Sequence, residues 1–167
     1  MRREIGTFEA FEKTMERMRG DGILLVAGYP PNPMTIGWGS LGTVWSRPVF
    51  QVLVRPTRYT FGLMEDSQAF TVNVLSDDYQ NELLLCGTRS GQDLDKAASC
   101  GFTMVKGETT TAFYIQQSTI HYECRIIHKH LLDAATLDPA IIERYYPLRD
   151  FHMVYYGEIV GVFRNEE

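Results

Sequence analysis

The chain has 167 residues, 44% of them hydrophobic and 22% charged, with a formal net charge of −5. A length of this order argues for one domain, here 1–167, that buries roughly 70% of its unfolded surface without needing a disulfide or metal staple. The mild acidity excludes the basic footprint of a nucleic-acid partner but leaves room for an anionic ligand held by local arginines.

The opening MRREIGTFEAFEKTMERM is charged throughout and lacks an apolar core, so no secretory signal is expected. Apolar runs such as ILLVAGY at 23–29 are too short to cross a bilayer. The expectation is a cytoplasmic protein with no membrane association.

Phe8, Phe11, Met15 and Met18 recur at helical spacing, which predicts an amphipathic helix over 8–18 with Thr7 as N-cap and Gly20-Asp21-Gly22 as its stop. ILLVAGY reads as a buried strand, followed by an extended connector at Pro30, Pro31 and Pro33. MTIGWGS at 34–40 and PVFQVLVRP at 48–56 read as strands joined by a turn containing Gly and Ser, the second bounded by Pro48 and Pro56. One or two helical turns over 57–66 and a strand at 69–75 come next. A short helix over 77–87 ends at Gly87, and a second short helix follows in SGQDLDKAAS, with Ser90 or Asp93 near its start.

FTMV at 102–105 is a short strand, and 118–131, rich in β-branched and aromatic residues, is the longest strand candidate. DPAIIERYY is a helix with Pro139 in its first turn, and HMVYYGEIVGVF closes the chain as a strand. Roughly seven strands and four short helices without βα alternation predict an antiparallel barrel decorated with helices.

Three clusters carry candidate chemistry. Met34, Thr35, Trp38, Gly39 and Ser40 combine an aromatic wall with backbone that can approach a flat ring closely. Arg55, Arg58 and Thr60 gather where a strand stops at Pro56, and a guanidinium fork suits phosphate oxygens. Ser90, Gly91 and Lys96, with Asp93 and Asp95, form a turn entering a helix with a lysine beside it. Each cluster alone also fits ordinary packing or a surface loop; together they describe a slot for a nucleotide-like cofactor.

Gly37-Trp38-Gly39-Ser40-Leu41-Gly42 matches GxGxxG, and Glu65 lies downstream at a distance suited to a ribose contact. A dinucleotide fold needs a helix to open at those glycines, and TVWSRPVF follows instead, so that reading is rejected. Cys86, Cys100 and Cys124 show no CxxC spacing, which points to free buried thiols. His128 and His130 share one face of a strand and His121 with Glu123 another, but no third ligand is fixed and no metal site is expected. His152, beside aromatic residues at the entry to the last strand, could face a pocket and contact a ligand, or simply sit at a strand entry. With no Ser-His-Asp, Cys-His or paired-carboxylate arrangement, any chemistry belongs to a cofactor.

The run NPMTIGWGSLGTVWSRPVFQVLVRPTRYT, followed by FTVNVL, CGTRSGQDLDK and a late YPL…YYGEIVGVF, resembles the flavin reductase-like FMN-binding split-barrel proteins, of flavoredoxin and small flavin reductase type. The resemblance runs from about residue 22 to 163, with its motifs in order. It implies a mainly β fold, a six-stranded antiparallel split barrel of Greek-key type with flanking short helices. It also implies a homodimer with FMN near the subunit interface. By the matching motifs, Thr35, Trp38, Gly39 and Ser40 would lie along the isoalloxazine ring, Arg58 and Thr60 would reach the phosphate, and Ser90, Gly91 and Lys96 would complete the pocket. Gln92 and Ala97 depart from the basic and aromatic residues often found in the last motif.

The implied activity is transfer of hydride or electrons from NADH or NADPH through FMN, with a monooxygenase or redox protein as a possible partner. The alternative is a flavoredoxin-like electron carrier that holds FMN tightly and has no small substrate of its own.

Overall fold

The computed structural model describes residues 2–165. In chain order these form β1 (Arg2–Glu4), α1 (Phe11–Arg19), β2 (Ile23–Ala27), β3 (Asn32–Ile36), β4 (Gly39–Val44), β5 (Arg47–Val54), α2 (Tyr59–Glu65) and β6 (Ala69–Val74). A 3-10 turn at Asp77–Tyr79 then leads into α3 (Gln80–Thr88), α4 (Lys96–Ser99), β7 (Met104–Lys106), β8 (Phe113–Ile115), β9 (Ile120–Leu131), α5 (Pro139–Tyr145) and β10 (Met153–Asn165). Among the described residues no helix is long and apolar enough to cross a membrane.

One antiparallel sheet runs in the order β3-β2-β6-β9-β10-β5-β4, with β1 added against β10, and β7 pairs with β8 apart from it. β3 and β4 stand at opposite ends of this order, yet only Gly37 and Trp38 separate them in sequence. The stretch 32–44 is therefore one bent strand that borders both ends of the sheet and rolls it into a barrel. Counted that way, the barrel strands are β2, β3/β4, β5, β6, β9 and β10, the expected six, with the bend at Gly37-Trp38. Rolling the sheet this way brings together edges that would otherwise expose unpaired backbone.

The barrel core is built from alternate residues of these strands, with Phe50, Phe70, Tyr122 and Tyr155 fully buried among aliphatic side chains. The long β9–β10 pair shifts register at Tyr156/Gly157 and Ile159/Gly161, and such bulges bend strands around a barrel. At Gly157 a Cβ would run into the Phe70 ring and the Cys124 side chain, so only glycine lets the strand pass there. A smaller cluster of Leu24, Val26, Leu75, Leu83, Cys86, Phe102 and Ile115 packs α3 and the β7–β8 hairpin on the outside of β2.

Several local expectations change. α1 begins at Phe11 with Ala10 at its N-cap, and Thr7 lies in the preceding turn without capping it. Phe8 and Phe11 are exposed, and the face that packs inward carries Thr14, Met15 and Met18, with Thr14 Oγ1 2.7 Å from the Tyr122 hydroxyl. The turn between β4 and β5 is made by Trp45 and Ser46, both in the left-handed region (φ 52° and 58°), rather than by a glycine. α4 starts later than expected: Asp95 caps it by accepting from Ala98 N, while Ser90 and Asp93 lie in the loop before it. The short strands β1 and β8 were not foreseen. Asp138 and Pro139 open α5 as anticipated.

Candidate functional site

The Gly37-Trp38 bend also borders a cleft. Met34, Thr35, Ile36, Gly37 and Trp38 form one side, β5 contributes Leu53, and Arg55 just after it, Arg58 and His152 complete the lining of a space of about 170 Å³. Trp38 remains 42% exposed. A large aromatic face left open inside a cleft is characteristic of a ligand wall rather than of core packing. The indole is nevertheless fixed in place, with the Tyr145 ring edge-on at 5.1 Å and the His152 ring at 5.3 Å.

The roof comes from the 145–152 segment, and Arg55 fastens it. The Arg55 guanidinium pairs with Asp150 at 2.7 Å, donates to the Tyr145 and Asp150 carbonyls at 2.8 and 3.3 Å, and lies over the Tyr146 ring. Both terminal nitrogens are thus engaged within the protein. Arg58 differs. It precedes α2, it makes a long 3.4 Å contact to the Gly87 carbonyl, and no carboxylate among the described residues pairs with it. The two arginines expected to act together therefore divide, Arg55 as a strap and Arg58 as an available fork.

Lys96 lies near Arg58. Its side chain is buried and Nζ donates to the Cys86 carbonyl at 3.1 Å, one residue from the carbonyl that Arg58 touches. Burial lowers the Lys96 pKa, and the Arg58 charge lowers it further against an opposing pull from Cys86. Two cations without a carboxylate partner, bracketing the end of α3, make an electrostatic demand for an anion.

The other expected residues are placed as follows. Thr60 is buried and accepts from Asn32 Nδ2 at 3.0 Å. Gly91 packs so closely on Asn32 and Tyr59 that a Cβ would collide with both. With Lys96 it lines a second hollow beside Pro30, Pro31 and Tyr59, next in sequence to Arg58. The Ser90 hydroxyl accepts from Gln92 N at 3.1 Å within its own exposed loop. Gly39 lets β4 approach β5, since a Cβ there would sit 2.6 Å from the Gln51 carbonyl, and Ser40 donates to Gln51 Oε1 across the same pair. Gly39 and Ser40 do not line the cleft. The histidines separate: His128 and His130 stack at 5.7 Å on β9, while His121 is buried between Tyr114 and Phe163.

Comparison with known proteins adds to this geometry. The sequence matches the flavin reductase like domain over residues 17–167. The chain belongs to the flavin reductase-like family. One sequence relative of this flavin reductase-like protein is an uncharacterised protein of Archaeoglobus fulgidus, 27% identical over 105 residues, a match covering 62% of this chain and 59% of that protein. Among solved structures, flavoredoxin of Desulfovibrio vulgaris (Miyazaki F) superposes with a TM-score of 0.68 at 25% identity, over 87% of this chain and 69% of that one. An FMN-binding protein from Thermus thermophilus shares the fold, with a TM-score of 0.66 and 19% identity over 84% of this chain and 68% of its own.

The flavin reductase-like cleft is also supported by residues that sequence patterns did not single out. Tyr145, Tyr146 and Asp150 stand behind its lining, against Trp38, His152 and Arg55, and the aromatic density of RYYPLRDFH was the available signal. The Tyr146 hydroxyl lies 2.7 Å from His152 Nδ1. Burial raises the Tyr146 pKa, so the phenol keeps its proton, and burial together with the Arg55 charge lowers that of His152 to about 4. The imidazole is thus neutral and shares one hydrogen bond with the phenol through Nδ1.

A depressed His152 pKa carries a stability signature. Between pH 6.5 and 4 the unfolded chain binds a proton that the folded chain refuses, so this contribution is complete above pH 6.5 and lost as pH falls to 4. The shift corresponds to roughly 3 kcal/mol. Urea unfolding at a series of pH values should show stability falling through this window, and His152→Gln should flatten the fall. Equal slopes in the two proteins would show that His152 is not held neutral. His121, whose pKa burial also lowers, supplies the remaining slope of that kind.

Proposed function

We propose that this protein binds FMN in the Trp38 cleft and acts as an NAD(P)H-dependent flavin oxidoreductase. The observation that carries the reading is a single cleft with an open tryptophan face and, in its lining, an arginine without a carboxylate partner among the described residues. An aromatic and thioether wall suits a flat ring system, and a guanidinium suits a phosphate. The composition of the site fits FMN: Trp38, Met34 and Leu53 for the ring, Thr35 and the open backbone at Gly37 for its polar edge, and Arg58 with Lys96 for the phosphate. Membership of the flavin reductase-like family and the FMN-binding neighbour support the same cofactor.

When bound, FMN would supply the chemistry, accepting a hydride from NADH or NADPH and releasing electrons to an acceptor. The chain's part is to position and to exclude. Trp38, held by Tyr145 and His152, limits where a ring can lie. Arg55 keeps the roof closed through Asp150, and His152 lines the cleft as a neutral ring rather than as a further cation. No side chain in the cleft is required to act as nucleophile or general base.

The cleft is smaller than the ~300–1,000 Å³ usual for ligands of this size. A second copy of the chain closing over it, in a homodimer, would complete the enclosure, with a monooxygenase or redox protein as the later electron acceptor. The flavoredoxin similarity favours a second reading, an electron carrier with resident FMN and no small-molecule substrate. Anaerobic oxidation of NADH and NADPH with added FMN separates the two. Turnover above the free-flavin background with either donor is expected for the oxidoreductase. Tight FMN binding without turnover on either donor would leave the carrier and reject the enzyme.

A further inference from the structure

Cys86 and Cys100 are separated by 14 residues, a spacing that hides any relation between them, yet their Sγ atoms lie 3.8 Å apart. Both are free thiols. Cys86 is buried in the last turn of α3, and Cys100, at the C-terminal end of α4, is half-buried. The fold has thus brought together two thiols with a partly open side through which a small oxidant reaches Cys100.

We propose that Cys86 and Cys100 form an oxidisable dithiol that closes to a disulfide in the presence of hydrogen peroxide and loosens the anion-holding end of the cleft. Oxygen transfer from peroxide to the Cys100 sulfur gives a sulfenic acid and one water. Cys86 sulfur then attacks that sulfur, and the displaced hydroxide leaves with the Cys86 proton as a second water. Two thiols lose two electrons and two protons, and one peroxide becomes two waters. Burial pushes the Cys86 thiol up to about 12 and raises Cys100 as well, so the thiolate fraction is small at neutral pH and closure is slow, needing peroxide in large excess.

The consequence follows from what the α3 terminus touches. The Cys86 carbonyl holds Lys96, the Gly87 carbonyl receives Arg58, and Gly87 packs on Thr35 so tightly that a Cβ there would lie 3.3 Å from the threonine. Thr35 in turn donates to the Leu83 carbonyl in the same helix. Drawing the sulfurs from 3.8 Å to a bond of ~2.05 Å pulls this turn toward α4 and away from its contacts with Thr35 and Arg58.

The link to cofactor affinity rests on the FMN reading given above, and the test keeps the two apart. The full-length protein is treated with hydrogen peroxide, alkylated and analysed by peptide mass spectrometry, with hydrogen exchange and FMN titration on the same sample. Alkylatable thiols should fall from the three free cysteines to Cys124 alone, with a Cys86–Cys100 linked peptide. Amide exchange around Thr35 and Arg58 should accelerate, and FMN affinity should fall about tenfold, within the usual range of site-to-site coupling, and recover with a dithiol reductant. Cys100→Ser should abolish all three changes. Three thiols still alkylatable after peroxide would overturn the proposal, as would a linked form whose exchange around Thr35 and Arg58 matches that of the reduced protein. A protein that never binds FMN defeats the cofactor reading while the thiol and exchange readouts still decide this one.

Discussion

Replacing Glu123 with alanine is expected to remove roughly 3–5 kcal/mol of stability, the usual cost of breaking a buried charged network by deleting one member. The Glu123 side chain is fully buried in β9. Its two oxygens accept from Glu108 N at 2.9 Å, Thr109 N at 2.7 Å, Thr110 N at 3.0 Å and Thr109 Oγ1 at 2.8 Å. Arg2 reaches the same carboxylate at 3.4 Å, sandwiched between the Tyr114 and Phe163 rings. One carboxylate therefore ties the 107–112 turn and the N-terminal strand to the barrel. Alanine would leave three backbone N–H groups without their acceptor and Arg2 with only the exposed Glu108 carboxylate, at 3.6 Å.

Burial alone would raise the Glu123 pKa. The contacts from His121 and from the Glu108 and Thr109 groups overcome that and bring it to about 2. The sign is that of a depressed acid: the stabilisation is complete above the unfolded carboxyl value of ~4.3 and is lost as pH falls through about 2. In thermal unfolding at neutral pH, Glu123→Ala should lower the midpoint by on the order of 10 °C, and Glu123→Gln, which keeps one acceptor oxygen, by less. An alanine variant within 1 kcal/mol of the parent in urea unfolding would show that the turn satisfies its donors elsewhere.

The second large effect is on ligand affinity. Arg58→Ala should weaken FMN binding by about 1.5–3 kcal/mol, the range for a hydrogen bond to a charged group, or roughly 10- to 150-fold in Kd. Arg58 is the cleft arginine without a carboxylate partner, so its removal costs the fold little. Arg55→Ala should do the reverse. It frees Asp150 and the Tyr145 carbonyl, loosens the roof over Trp38 and lowers stability first. Titration of FMN into both variants, beside their urea midpoints, distinguishes the roles. Equal FMN affinity in Arg58→Ala and the parent would make that arginine structural.

Local patterns placed most of the barrel, because its strands are bounded by Pro56, Gly22 and turn clusters and carry β-branched residues. They also located the cleft, since Met34, Thr35 and Trp38 are close in sequence and stay close in space. What they could not show was long-range partnership. Arg55 and Arg58 look equivalent along the chain, and only the approach of Asp150, 95 positions away, takes one of them out of service. Gly39 looked like ring-approach backbone, but Met18 and Gln51 press on it from within the barrel. The Cys86–Cys100 contact and the Glu123 nest likewise depend on loops whose return path no periodicity encodes. β1 and β8 escaped notice because strands of three residues carry too little alternation to register.

The most direct test of the account is the visible absorption spectrum of the purified protein after incubation with FMN and gel filtration. The account predicts a flavin spectrum that co-elutes with the protein and is lost or sharply reduced in Arg58→Ala. A colourless protein peak, with FMN fluorescence unchanged on titration, would contradict it.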